Sequence, residues 1–165
     1  MKTTLSDIQL IKIPVVEDFR GNLGFIQNGF LPFDFKRVYY LFDVPSNSFR
    51  GGHSHVNQQE TLIALSGSFE VVLNDGFEKK SFLLNKPNVG LYIPTGIWRE
   101  LQNFSSGSVC LVLASDVFDE VDYIRDYDAF LKGIEMVMAH VYDLLKKNDV
   151  KPIEAKGDRK STRLN

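Results

Sequence analysis

Turn chemistry, recurring at short and even intervals, constrains what this chain can fold into more than any other feature. From Leu5 to about Ser115, short β-favouring runs are each ended by glycine, proline, asparagine or serine. The runs are Ile8 to Ile13, Gly24 to Phe30, Arg37 to Asp43, Glu60 to Ser66, Ser68 to Leu73, Lys79 to Leu84, Val89 to Ile93, Glu100 to Asn103 and Val109 to Ala114. Such spacing predicts an all-β antiparallel sandwich or barrel. Asn74-Asp75-Gly76 and Ser66-Gly67-Ser68 offer the positive φ of tight hairpins, and Asn85-Lys86-Pro87-Asn88 suits a four-residue loop. The expected connectivity is therefore a meander.

Helical periodicity is confined to the end of the chain. Glu120 to Leu131 suggests a short helical piece, and Ile134 to Lys147 places Ile134, Val137, Met138, Val141, Leu144 and Leu145 on one stripe. From Asn148 on, no apolar period remains, and residues 148–165 read as a disordered tail. The expected organisation is a β domain over 1–133, a helix over 134–147 and that tail.

Composition narrows the class. A length of 165 residues suits one domain, and 44% hydrophobic residues with thirteen Phe exclude disorder over most of it. The formal charge of -2, without a basic stripe on the body, argues against a nucleic-acid partner. No apolar stretch approaches the roughly 20 residues of a membrane-spanning helix, so no membrane partner is expected. Cys110 is the only cysteine and lies in the apolar run Val109 to Leu113. It reads as a small buried hydrophobe, and its solitude fits a reducing, cytoplasmic setting.

Chemistry concentrates in Arg50-Gly51-Gly52-His53-Ser54-His55, followed by Glu60. Two of the three histidines stand one residue apart, and on a strand period two aims both rings at one face. Such a pair can bind a divalent metal or move protons near neutral pH. A second cluster, Pro94-Thr95-Gly96 with Trp98-Arg99 and Asn103, follows later in the chain.

In these two clusters the sequence resembles the cupin superfamily, whose motifs run HxH, Glu, Gly and then PxGxxH, Asn. Arg99 stands where the second motif carries its third metal-binding histidine. Arginine has no lone pair to give and keeps its charge, so the expected site is metal-free. Further stretches resemble the nucleotide-sugar 3,4-ketoisomerases of that superfamily. They are Asp18 to Leu23, Leu31-Pro32-Phe33, Lys36 to Tyr40, Arg50 to His55, Tyr92-Ile93-Pro94 with Trp98-Arg99-Glu100, and Asp122 to Tyr127.

The resemblance implies a cupin-type antiparallel β-barrel (jelly roll) with a short C-terminal helical segment, and a homodimer. It also implies conversion of a dTDP-linked 4-keto-6-deoxyhexose, dTDP-4-keto-6-deoxyglucose, to its 3-keto isomer through an enediol or enediolate. No cofactor is required, because hydrogen is only relocated within one molecule. The family's catalytic histidine falls on His53, with His55 orienting substrate or sharing the base function, and its tyrosine falls on Tyr39. Arg20, Arg37, Arg50 and Arg99 are candidates for binding the diphosphate, Glu60 for anchoring substrate or a histidine, and Trp98, Phe25 or Phe33 for stacking on thymine. Three alternatives stay open at this point: a 3,5-epimerase of the same sugars, a metal-dependent cupin dioxygenase, and a non-catalytic sugar-binding cupin.

Overall fold

A computed structural model describes residues 3–148 and Val150. The strands are β1 (Gln9–Lys12), β2 (Val15–Asp18), β3 (Gly21–Gly24), β4 (Arg37–Leu41), β5 (Arg50–His55), β6 (Glu60–Ser66), β7 (Phe69–Asn74), β8 (Lys79–Leu84), β9 (Val89–Ile93), β10 (Trp98–Gln102), β11 (Val109–Ala114) and β12 (Tyr123–Ile124). A helix, α1 (Tyr127–Lys147), follows. Contacts divide the chain into Met1–Leu131, which carries the strands and the first turn of α1, and Lys132–Asn165.

The strands form two five-stranded antiparallel sheets, ordered β1-β9-β6-β11-β4 and β12-β5-β10-β7-β8, and β2-β3 makes a separate hairpin. This is the jelly-roll pattern expected of a cupin. The connectivity departs from a meander. β6 and β7 flank the Gly67 turn yet lie in different sheets, as do β8 and β9 around Pro87, so these turns carry the chain across the sandwich. Gly67 makes the crossing with φ of 64°, and a Cβ there would stand 2.9 Å from the Ser108 backbone. Of the three turns expected from the sequence, only Asn74-Asp75-Gly76 joins a paired couple, β7 and β8, with Asn74 Oδ1 accepting from the Gly76 amide at 2.7 Å.

The main core fills the space between the sheets with residues such as Leu62, Phe69, Val71, Leu73, Leu91, Ile93 and Val112. Cys110 belongs to it, and burial pushes its thiol pKa up. A second cluster of Ile13, Leu31, Phe33, Ile63, Tyr92 and Leu113 covers the other face of the first sheet. β6 is consequently buried on both faces over Glu60 to Ala64, which explains its continuous apolar run.

Two local readings differ from expectation. Gly24 to Phe30 was expected as a strand but contains only the last residue of β3 followed by turns, whereas Val15 to Gly24, rich in polar residues, forms the β2-β3 hairpin. The two helical pieces are instead a short 3-10 turn at Glu120–Asp122, then β12, then one helix that runs through Gly133. The tail lies outside the described residues apart from Asn148 and Val150. Among the described residues no helix is long and apolar enough to cross a membrane.

Candidate active site

The site opens between the facing sheets, where β4 and β6 of one meet β5 and β10 of the other. A bulge prepares it. Arg99 pairs with His53 but Glu100 pairs with Gly51, leaving Gly52 as the extra residue of β5. Gly51 and Gly52 have φ of 81° and 68°, and a Cβ on Gly51 would come within 2.7 Å of the Arg99 carbonyl oxygen. Glycine at both positions lets β5 kink beside β10 and turn its histidines toward the interior. Strand alternation then places Tyr39 inside while Tyr40 stays exposed.

A cavity of about 110 Å³ is lined by Tyr39, Arg50, His53, Glu60 and Arg99, with Leu62 and Leu101 among the apolar residues of its wall. Glu60 stands at its polar centre. Its Oε1 accepts from the Tyr39 hydroxyl at 2.6 Å and from the Gln58 amide at 2.9 Å, while Oε2 lies 3.7 Å from Arg99 Nη1. Burial opposes the charge on Glu60, but the Arg99 guanidinium, with smaller help from the Tyr39 hydroxyl, holds its pKa at about 2. Glu60 is therefore a carboxylate at neutral pH. The same carboxylate works on Tyr39 in the opposite sense, since burial first and Glu60 second push the phenol pKa up.

Arg99 is 1% exposed, and none of its three guanidinium nitrogens has a hydrogen-bond partner. A buried cation with unused donors costs several kcal/mol unless something accepts them. Its long ion pair with Glu60 supplies charge balance only, leaving the donors available to an oxyanion inside the cavity.

The two histidines differ in what they have free. His55 is fully buried, and both ring nitrogens are taken: Nδ1 meets Asp122 Oδ2 at 2.9 Å, and Nε2 meets the Gln58 amide nitrogen at 3.1 Å. His53 is partly buried and borders the cavity; its ring hydrogen-bonds the Gly51 backbone, and Nε2 has no partner. Burial first, and the nearby Arg99 charge second, lower its pKa to about 4. At neutral pH His53 thus carries an open lone pair.

Other expected site residues fall in varied places. Arg50 lines the cavity from the start of β5. Arg37 stands behind Gln58, donating to its Oε1 at 2.9 Å and lying over the Tyr39 and Phe118 rings. Arg20 is not brought to the cavity; 76% exposed, it pairs with Asp18 at 2.9 Å on the β2-β3 hairpin. Trp98 alternates to the opposite face of β10 from Arg99, where it packs on Tyr127 and Phe130 and its indole donates to Glu100 at 3.1 Å. Gln58 and Asp122, which hold His55, were missed as functional residues. Asp122 did stand inside the resemblance, but no strand periodicity marked its side chain.

His53, His55 and Glu60 offer ligand atoms within 4.8 Å of one another, the geometry of a three-ligand metal site. The donor set does not fit one. Glu60 Oε1 already accepts two hydrogen bonds, His55 has no free nitrogen, and the Arg99 guanidinium stands where it would repel a divalent ion.

Facing antiparallel sheets, an inward HxH pair and a guanidinium in place of a third metal ligand mark a cupin-like fold. Comparison with known proteins specifies it further. The family model described as "FdtA: WxcM-like, C-terminal" matches residues 6–135. The TDP-4-oxo-6-deoxy-alpha-D-glucose-3,4-oxoisomerase of Aneurinibacillus thermoaerophilus is 43% identical over 130 residues, covering 78% of this chain and 94% of that protein. A 3,4-ketoisomerase from Helicobacter canadensis superposes with a TM-score of 0.76 at 45% identity, covering 78% of this chain and 98% of the other. A His-to-Asn variant of the 3,4-ketoisomerase QdtA from Thermoanaerobacterium thermosaccharolyticum, crystallised with TDP-4-keto-6-deoxyglucose, superposes with a TM-score of 0.76 at 43% identity, covering 79% and 95%. The chain belongs to this FdtA-like family of sugar 3,4-ketoisomerases, and it is an isomerase.

Proposed function

We propose that this protein converts dTDP-4-keto-6-deoxyglucose to its 3-keto isomer, with His53 as the base. The observation that carries the proposal is the meeting, in one cavity, of the open His53 Nε2, the unpartnered Arg99 donors and the hydrogen-bonded pair Tyr39–Glu60. The C4 carbonyl acidifies the C3 hydrogen, and His53 Nε2 takes it as a proton. The C3–H electron pair becomes the C3–C4 double bond, and the carbonyl π pair moves to O4. Arg99 stabilises the resulting oxyanion, the electrostatic task a metal performs in other cupins. His53 then returns the proton to C4 while Tyr39 accepts the O3 proton and passes its own to O4, so that O3 becomes the ketone. Glu60 accepts the Tyr39 hydrogen bond in the resting site and so orients the phenol until its hydrogen turns from Glu60 to O4.

Arg50, at the cavity wall, is the best placed arginine for the diphosphate, with Arg37 behind Gln58. A homodimer is supported by unpartnered apolar surface: Tyr40 and Phe42 are exposed on and just beyond β4, and Phe19 is 98% exposed at the tip of β2-β3. We place the enzyme in the cytoplasm, where its activated sugar substrate would be made. Proton NMR of dTDP-4-keto-6-deoxyglucose incubated with the protein tests the assignment: the expected product is the 3-keto isomer, and inversion at C5 or an unchanged substrate would reject it.

A further inference from the structure

The turn between β5 and β6 carries Gln58, which is 2% exposed and uses every polar atom of its side chain. Its Oε1 accepts from Arg37 Nη2 at 2.9 Å. A guanidinium has only donors, so this contact fixes which end of the amide is oxygen. The amide nitrogen is therefore the atom facing His55 Nε2 at 3.1 Å and Glu60 Oε1 at 2.9 Å, and it gives one hydrogen to each.

A hydrogen bond from an amide requires a lone pair on His55 Nε2. The ring proton must then sit on Nδ1, where Asp122 Oδ2 accepts it at 2.9 Å. Asp122 is held for this by the backbone amides of Asn57 at 2.7 Å and Gln58 at 3.2 Å. Without Gln58, carboxylates would flank the ring on both sides, Asp122 at Nδ1 and Glu60 Oε1 3.5 Å from Nε2. A hydrogen on Nε2 would then find an acceptor in Glu60 as readily as one on Nδ1 finds Asp122, and nothing would fix the tautomer. The other groups facing the ring are His53, with ring centres 4.8 Å apart, and Tyr123, at 4.3 Å. Arg37 reaches it through the Gln58 amide and through the Tyr123 hydroxyl, to which its Nη2 donates at 3.4 Å.

We infer that Gln58 is the positioning residue that divides labour between the two histidines: oriented by Arg37, its amide holds His55 as the neutral Nδ1–H tautomer and leaves His53 as the sole base. A hydrogen on His55 Nε2 would instead turn to Glu60 Oε1 and compete there with the Tyr39 hydroxyl that Glu60 orients. The inference rests on the proposed role of His53, but its first readout needs no turnover.

Long-range proton–nitrogen NMR of ¹⁵N-histidine-labelled protein at neutral pH reads the tautomer directly. Wild type is expected to show His55 protonated on Nδ1 alone. Gln58→Met removes the donor at similar volume, and Gln58→Glu keeps the shape but replaces the donor with an acceptor. Both variants are expected to lose the Nδ1-only signature, with hydrogen appearing on Nε2, and to show kcat lowered on the order of tenfold or more and KM within about twofold. A purely packing role would leave the ring unchanged in both. A wild-type His55 protonated on Nε2, or variants that keep its bare Nε2 or the parent kcat, would overturn the inference. The wild-type spectrum suffices if neither variant folds. Loss of ketoisomerase activity in the wild type itself would instead count against the functional proposal.

Discussion

The acid limb of the rate profile tests the electrostatics of the site most sharply. An ordinary histidine base loses activity below pH ~6.5. Here burial and, second, the Arg99 charge put His53 at about 4. The difference of roughly 2.5 units corresponds to about 3 kcal/mol of preference for the neutral ring, an order-of-magnitude figure. Because kcat/KM reports the free enzyme, its acid limb should fall near pH 4 and stay flat between about 5 and 7. Arg99→Met removes the second cause and leaves the first, so the limb should rise toward 6.5 by less than half the full shift, about one unit. Initial rates by NMR from pH 3.5 to 8, with circular dichroism at each pH to exclude unfolding, give both limbs. A wild-type limb at 6 to 7, or one that Arg99→Met does not move upward, would refute the reasoning.

The same groups shape stability. The His53 pKa is depressed on folding, so the unfolded chain takes up the proton first and stability falls as pH drops from about 6.5 to 4. Glu60, also depressed, stabilises the fold above about 4.5, and that contribution is lost toward pH 2; denaturant melts across this range should show the two successive declines. Glu60→Gln leaves the Arg99 cation buried without its counter-charge and should cost about 3–5 kcal/mol in chemical denaturation, whereas a cost under 1 kcal/mol would mean that the ion pair matters little. Gly51→Ala would press a Cβ to 2.7 Å from a backbone oxygen at positive φ, so a loss of roughly 1–3 kcal/mol and a displaced His53 are expected; an unchanged melting temperature would contradict this. Dialysis against a strong chelator should leave the rate unchanged, and a loss restored by iron would revive the metal-dependent reading.

Much of the site was legible because β structure has a period of two. That period put His53 and His55 on one face and Tyr39 and Tyr40 on opposite faces, and the same alternation takes Trp98, expected in the site, away from the cavity that Arg99 lines. It could not rank the histidines, because what distinguishes them arrives from turns: Gln58 from the corner before β6, and Asp122 from a segment 67 residues beyond His55. Neither has a periodic signature. The β2-β3 hairpin escaped for a related reason. Its strands carry polar residues on both faces and pair only with each other, so no buried side imposed alternation on the sequence. The crossing turns at Gly67 and Pro87 have the chemistry of tight turns, and local chemistry does not report that the flanking strands belong to different sheets.

The central claim is that one imidazole, His53, moves the proton between C3 and C4. His53→Asn removes that nitrogen base while keeping a side chain of similar bulk. The decisive measurement pairs calorimetric binding of the dTDP-sugar with single-turnover NMR on this variant. The account predicts binding within a few-fold of wild type and no detectable 3-keto product. A variant that binds and still isomerises at the parent rate would contradict it.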